Sequence, residues 1–548
     1  MSELQYFILV EGINLYPNIY DTDQLSVIRG SSFLYKEAIE VVSREFAARM
    51  KCISSGASSG LFLVPNGEED INQLVGDIEA ELTHPDKHCF HLLTFMAVHA
   101  QAADLLQARE KLLAALRLKQ LQSLTVQPDR DGTGNDAWNR IPCGLSGSRI
   151  AAHHKRKIQG DEKKALSASA FQRWKHGREA KKAYYTELVD DAELKGWPDT
   201  FDFADDIEAL CKDDCQKLKN KMAVVYLDGN RFSKHQHEFI QRAGCSALEQ
   251  IALQEQFDTA IQEQRKQFLT ETLRYLLPQQ WRNTIRLETL LWGGDEMLLV
   301  MPAWEGFDFL QRFFAFNWRL PDGEGGADKP LTHAAGIVFC QANTPIRIIQ
   351  KLARELADRV KEYGNEQGEA IGRRQNGWDY LVLESIDYPT NESLEDYFTE
   401  RYGDTLGKSR DGLLLPAIRD WSTQREAMDR FLSGKAIARG QLYQIVQAVR
   451  NHPDAAGTCA AWAAVCDLRD EAFSNASKQE QAEYRMLEVS EDRETLETLP
   501  DKAGEWFGFK KEDFDNPARR AWFWIHLLEL WDYLIPRRND DDNAREGR

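Results

Sequence analysis

Apolar and polar positions alternate on two different schedules along this chain. The run Tyr6-Phe7-Ile8-Leu9-Val10 is short, apolar and β-favouring, and it closes on Glu11-Gly12. A second such run, Leu61-Phe62-Leu63-Val64, follows the small residues Ser58-Ser59-Gly60, and a third spans Leu92 to His99. The segment Ala103 to Leu118 then changes to helical spacing. The same succession returns past the middle of the chain. Met222 to Leu227 predicts a strand ending at Asp228-Gly229-Asn230, and Thr284 to Trp292 predicts another. Met297 to Met301 and Ala334 to Cys340 predict two more, and Pro345 to Tyr363 predicts a long helix. Overlaying Glu11 on Asp228, and Ser58 to Pro65 on Gly293 to Val300, makes the two stretches a divergent repeat. The period is far longer than that of a solenoid.

Four regions follow. Residues 1–135 form the first strand-and-helix unit, and 136–215 a polar connecting segment. Residues 216–390 form the second unit, and 391–548 are mostly helical, with Trp, Leu and Ala at helical spacing. The expected fold is α+β.

Composition narrows the class. The chain has 548 residues, 43% of them apolar, and no run approaches the roughly 20 apolar residues of a membrane span. The start, Met1-Ser2-Glu3-Leu4, lacks a basic segment followed by an apolar plug, so no signal peptide is read. Nine cysteines, an odd number, do not form a disulfide framework, and a cytoplasmic location is expected. The net charge of −19 argues against a protein whose main work is gripping nucleic acid. Residues 153–182 are nonetheless locally basic, with His153, His154, Lys155, Arg156, Lys157, Lys163, Lys164, Arg173, Lys175, Arg178, Lys181 and Lys182. Such a stretch is either a solvated helix face or a contact to RNA.

The candidate chemistry lies at the strand ends. Asp228 closes a buried strand, and Gly293-Gly294-Asp295-Glu296 joins two others as a tight turn carrying acids. Its glycines let the backbone turn and let a phosphate approach. Asp228 and Asp295 on adjacent strands would hold Mg²⁺ or Mn²⁺, which take carboxylate oxygens and complete their shell with water and substrate phosphates. Because neighbouring strand residues point to opposite faces, Glu296 is expected to assist rather than to share Asp295's ligand role. Gly229, Asn230, Gly293, Gly294 and the basic helix residues Lys351, Arg354 and Lys361 are expected to contact nucleotide. Taken alone, the four-residue string is also compatible with an ordinary turn.

At these residues the chain resembles two related families, the GGDEF diguanylate cyclases and the large palm-domain subunit of type III CRISPR–Cas complexes. The second likeness covers more of the sequence. Leu227-Asp228-Gly229-Asn230-Arg231-Phe232 resembles its metal-binding strand end, and Trp292-Gly293-Gly294-Asp295-Glu296 its acidic hairpin. Ala335 to Phe339 and Leu352 to Leu356 resemble the strand and helix that follow. The segment Ile19 to Leu34 resembles its first palm, and Ala165 to Tyr185, with Arg173 and Gly177-Arg178, the connection between palms.

The resemblance implies two ferredoxin-like palms plus a helical C-terminal domain. It also implies synthesis of a cyclic oligonucleotide from ATP and association with the other subunits of an RNA-guided complex. The diguanylate cyclase alternative implies GTP and an active homodimer of second palms. A non-catalytic scaffold is the third reading. Departures are plain. Glu296 replaces the family's second hairpin Asp, and Asn230 replaces an acid. No His-Asp nuclease domain is expected ahead of a palm that begins at residue 6. Cys143-Gly144-Leu145-Ser146 has Ser where a zinc knuckle needs Cys. Ordinary cysteines are therefore expected over a zinc site completed by Cys211, Cys215 and His153 or His154. The first palm, with Glu11 at the position of Asp228 and Ser59 or Gly60 at the hairpin acids, is expected to be degenerate.

Overall fold

Lys221–Gly229 is buried along nearly its whole length, as a strand covered on both faces must be. That strand is the centre of the larger of two sheets. The computed structural model describes residues 4–65, 70–123, 141–157, 163–189, 393–410, 413–433, 439–451, 505–508 and 517–535. It also describes 202–384, apart from short stretches at 205, 213–215, 245, 277–283, 322–328 and 364–370. The architecture is mixed α/β.

In chain order, the first unit comprises β1 (Gln5–Gly12), α1 (Leu15–Ile19), α2 (Leu25–Glu45), β2 (Lys51–Ser55), β3 (Ser59–Val64), α3 (Ile71–Thr83), β4 (Phe95–Ala102) and α4 (Leu105–Gln122). The connection holds β5 (His153–Lys157), β6 (Lys163–Leu166), α5 (Ala168–Leu188), β7 (Asp202–Phe203) and α6 (Ile207–Cys211). The second unit contains β8 (Lys221–Gly229), α7 (Phe232–Gln241), α8 (Ala247–Leu276), β9 (Thr284–Ile285), β10 (Glu288–Gly293), β11 (Glu296–Pro302) and α9 (Ala303–Ala315). It continues through the short pair β12 (Arg319–Leu320) and β13 (Lys329–Pro330) to β14 (His333–Gln341), α10 (Ile346–Glu362) and β15 (Gly377–Val382). The predicted strand Thr284 to Trp292 is thus two pieces. β9 pairs in parallel with β7 of the connection, and only β10 joins the main sheet.

The two sheets repeat one plan. The first has strand order β2-β3-β1-β4, and the second β10-β11-β8-β14 extended by β15 and β16 (Leu415–Pro416). Each carries a bulge in its hairpin. Cys52 faces Phe62 and Ser54 faces Leu61, so Ile53 is the extra residue. Thr289 faces Leu299 and Leu291 faces Leu298, so Leu290 is extra. With Glu11 laid on Asp228, the two bulges fall at the same place.

That register corrects the hairpin overlay. Ser59 stands opposite Glu11. One step past the pair Leu227 and Met297, Glu296 stands opposite Asp228. Ser58 and Ser59, rather than Ser59 or Gly60, therefore occupy the places of Asp295 and Glu296. Matching apolar run to apolar run slipped the overlay by two residues, because it carried no information on cross-strand pairing.

The units face each other reciprocally. α2 of the first packs on β10 of the second, and α8 of the second packs on β2 of the first. Ion pairs follow the same exchange. Arg29 of α2 binds Glu288 of β10, and Glu255 of α8 binds Lys51 of β2 at 2.6 Å. Lys51 and Glu288 are equivalent positions in the two sheets. The first pair is buried, with both side chains 1% exposed, and Lys181 of α5 reaches the same Glu288 oxygen at 2.9 Å. α5 crosses α2 at Gly30 and Gly177. A Cβ on Gly177 would stand 2.0 Å from the Ser26 carbonyl oxygen, so only glycine permits this approach.

The basic stretch divides accordingly. Arg173 and Lys181 are internal struts, both buried, with Arg173 on Asp21 at 2.8 Å. Lys175 is exposed beside Glu179, as a solvated face would be. The cysteines separate too. Cys143 sits in a small cluster with Leu166 and Ala170, Cys211 lies in the main core near Cys340, and Cys215 lies outside the described residues.

In the C-terminal region, α11 (Leu394–Tyr402), α12 (Asp404–Arg410), α13 (Trp421–Ser433), α14 (Arg439–Asn451) and α15 (Pro517–Leu534) are helical. α15 covers the second unit, with the Tyr380 hydroxyl on His526 and on Glu529. Among the described residues no helix is long and apolar enough to cross a membrane.

Candidate active site

Three acids gather where β8 ends and the β10–β11 hairpin turns. Parity along β8 sends Tyr226 and Asp228 to the sheet face covered by α10, while Ala223 lies under Gly306 of α9 on the other face. Glu296 opens β11 opposite Asp228 and so shares its face. Arg354 of α10 lies 3.8 Å from Glu296 and stacks over the Tyr226 ring at 4.9 Å. Lys361, in the last turn of α10, binds Asp228 at 2.5 Å. Asp295 leaves the ladder at the turn, where Gly294 has φ +37°. It lies against Gly229, on which a Cβ would stand 2.8 Å from the Asp295 Cβ. Any larger residue at 229 would displace the acid.

The two hairpin acids stand differently toward Asp228. Strand alternation separates Asp295 from Glu296, as expected, but it is Glu296 that stands directly across from Asp228. Asp295 reaches the same acids from the tip. Its carboxyl is pushed up to about 7, first by burial, then by the charge of Asp228, with a smaller push from Glu296. The Tyr226 phenol is also raised, by burial and then by Glu296 and Asp228. Arg265 of α8 is lowered to about 10 by burial, against an upward pull from Tyr184 and then Asp295, and it stacks on Trp292 at 4.8 Å. Carboxylates drawn together at a half-buried turn are donors of the kind a hard divalent cation takes. Among the described residues no group of three His, Cys, Asp or Glu side chains is arranged as a protein-only metal cage. Magnesium does not need one, because water and phosphate oxygens complete its octahedron.

The other expected contacts sort by position. Gly294 and Asp295 form the turn, Gly293 ends β10 opposite Glu296, and the Gly293 backbone meets the first unit's hairpin, with a Cβ there falling 3.2 Å from the Ala57 Cβ. The two hairpins therefore touch tip to tip. Asn230, expected to touch nucleotide, is instead a brace. It is 2% exposed, and its amide donates to Thr332 Oγ1 at 3.0 Å, the Gln375 carbonyl at 3.1 Å and the Gly372 carbonyl at 3.2 Å. Lys351 lies one helical turn beyond Arg354 from Lys361, exposed, with its ammonium on Glu355 at 3.3 Å. It is not brought to the acids.

Sequence reasoning missed Tyr226 and the segment Leu15 to Asp23. Tyr226 was legible as the residue two before Asp228 on the same face. The segment was not, because it comes from the other unit. Tyr20 packs on the second unit's core, and its hydroxyl is pushed up to about 12 by burial, against a downward pull from Arg354 and small upward pushes from Tyr16 and Glu296. Asp23 pins the segment to α10 through Arg347 at 3.7 Å. In the first unit, Glu11 occupies the place of Asp228. Its carboxyl is raised by burial and lowered in part by Arg117 of α4.

No family model matches the sequence, and no curated protein matches it. Among solved structures, the neighbours include Csm1, Csm1–Csm4 cassettes and a type III-B Cmr-beta complex. A Csm1 from T. onnurineus is 14% identical, with a TM-score of 0.49 and coverage of 98% of this chain and 70% of that one. A Csm1–Csm4 cassette in complex with cA4 is 14% identical, with a TM-score of 0.43 over 82% of this chain. This chain spans 63% of that one, less than two thirds of its length. A type III-B Cmr-beta structure in the apo state is 10% identical at a TM-score of 0.45, covering 81% and 75% of the two chains. At such identities and scores, function has to be argued from the residues themselves.

Proposed function

We propose that this chain is a metal-dependent nucleotidyltransferase that links ATP into a cyclic oligonucleotide messenger for CRISPR-type antiviral defence. In this reading residues 1–135 and 216–390 are two ferredoxin-like palms, the first lacking the hairpin acids. Residues 136–215 are the connection, and 391–548 the helical end domain. The observation that carries the proposal is the convergence of Asp228, Asp295 and Glu296 at one hairpin tip, with Lys361 and Arg354 supplied by the following helix.

Asp228 and Asp295 would hold Mg²⁺ or Mn²⁺. When bound, such ions lower the pKa of a 3′-hydroxyl and offset charge on the leaving pyrophosphate. The protein's own groups have separate tasks. Lys361, released from Asp228, offers a compact positive charge to phosphate oxygens. The turn at Gly293-Gly294 presents backbone without side chains, so a triphosphate can lie close. Arg354 holds Glu296 in place and shields its charge from Asp228. Asn230 fixes the end of β8 so that Asp228 keeps its position. Tip-to-tip contact of the hairpins favours two nucleotides meeting between the units of one chain, rather than between two copies of the second unit. In-line attack needs that positioning.

The test is incubation of the purified full-length chain with each labelled nucleoside triphosphate plus Mg²⁺ or Mn²⁺. Linked product from ATP, lost in Asp295→Asn, is the expected result. Product from GTP alone would select the diguanylate reading. Consumption of no triphosphate would leave the scaffold reading, in which the chain serves a complex and its RNA without chemistry.

A further inference from the structure

Resting on the reading that a triphosphate lies against the Gly293-Gly294 turn, we infer that Tyr16 and Tyr20 of the first unit form the stacking platform for that nucleotide's base. The two residues are one helical turn apart, and their rings are 5.5 Å apart at 40°. Tyr16 is 54% exposed, so a face of its ring is open to a ligand. Its neighbours fix where it stands. Leu15 and Ile19 line a small cavity with Ala57, Ser58, Leu291 and Trp292, the residues at the two hairpin tips. Tyr20 lies in the field of Arg354 and Glu296. Tyr16 is open to solvent next to Tyr20, and Tyr20 lies toward Arg354 and Glu296.

The platform is also rigid, as a preorganised binding surface must be. Asn18, inside the same short helix, is buried and donates to the Tyr35 hydroxyl at 3.1 Å and to Thr94 Oγ1 at 3.2 Å. Its carbonyl accepts from Arg173. Asp21, one residue past Tyr20, is clamped by Arg173 at 2.8 Å and by Arg149 at 3.0 Å. Asp23 binds Arg347 of the second unit at 3.7 Å. This buried hydrogen bonding holds a helix of five residues still, with Tyr16 open to solvent and Tyr20 packed on the core beside it. Any base offers a π-face to such a pair, and loss of one stacking ring weakens binding on the order of tenfold or more.

The test compares two probes on the full-length chain by calorimetry in Mg²⁺, a non-hydrolysable ATP analogue and inorganic tripolyphosphate. Tyr16→Ala is expected to weaken the analogue about tenfold and leave tripolyphosphate unchanged. Tyr16→Phe is expected to restore the analogue, since the ring and not the hydroxyl does the stacking. Tyr16→Ala that binds the analogue as wild type does, or loses both probes equally, would overturn the platform. Wild-type protein that binds neither probe would overturn the underlying placement of the triphosphate as well.

Discussion

The two sheet units share strand order, bulge position and the side on which each final helix packs, yet only one carries acids at its hairpin tip. Ser58 and Ser59 stand where the second unit has Asp295 and Glu296. Glu11 with Arg117 stands where it has Asp228 with Lys361. The shared features are set by many apolar positions, such as Ile8, Val10 and Phe62 in one core and Val225, Leu227 and Leu299 in the other. The differing features rest on a handful of polar residues at the strand ends. A fold repeated in this way can lose its chemistry at one tip without losing its packing, because side chains at a turn contribute little to the core. In the proposed function the first unit serves as a wall for the second, to which it also gives Arg29 and the hairpin contact at Ala57.

The sharpest way to break this comparison is to make the second tip resemble the first. Asp295→Asn and Asp228→Asn are each expected to lower product formation on the order of a hundredfold or more, measured by conversion of labelled ATP. Retained turnover in either variant would remove the acid tip from the mechanism and make the two units equivalent.

Next comes the exchange of ion pairs across the interface. Arg29→Ala removes one guanidinium from a buried carboxylate and is expected to cost about 3–5 kcal/mol in urea unfolding. Lys51→Ala breaks the exposed counterpart and is expected to cost about 0–1 kcal/mol. Equal losses would show that burial does not distinguish the two halves of the interface. A fragment beginning near Gln216 would leave the Glu288 carboxylate without Arg29 and Lys181, and would bare the core that Leu25, Ile28 and Phe33 complete.

Within the acid tip, Glu296→Gln is expected to reduce activity roughly tenfold, less than Asp295→Asn, because Arg354 already holds Glu296. The reverse order would assign the ligand role to the acid directly across from Asp228.

A further effect is on stability against pH with a chelator present. An Asp near 4 in the unfolded chain and about 7 in the fold binds its proton more tightly when folded. Its ionisation therefore opposes folding, and stability falls as the pH rises from about 4 to about 7. Asp295→Asn is expected to be more stable than wild type by a margin that opens across that window and is flat above it. Thermal unfolding at several pH values measures this, and a constant margin would refute the crowding of Asp295 by Asp228.

Much of this was legible in the chain. The strands at Tyr6 and Met222, the acid at the end of one and the glycine-acid turn after Trp292 stand out because apolar runs and turn residues are local signals. The basic stretch misled in part. Lys175 and Arg173 look alike in sequence, and only packing sends one to solvent and the other under Asp21. Asn230 looked like a weakened ligand, while its amide is taken by carbonyls more than 140 residues away.

By itself, then, the sequence determined which segments become strands, where the turns fall and which acids lie at them, since each follows from the composition of a few adjacent residues. The tertiary structure alone decided three further things. It set which hairpin residue stands across from Asp228, because register depends on pairing between distant strands. It decided that α2 and α8 trade places on each other's sheets, because burial of β2 and β10 needs a partner from the other unit. And it brought Tyr20 toward Arg354 and Glu296 of the second unit, because no local signal in a helix of five residues says which surface it will be held against.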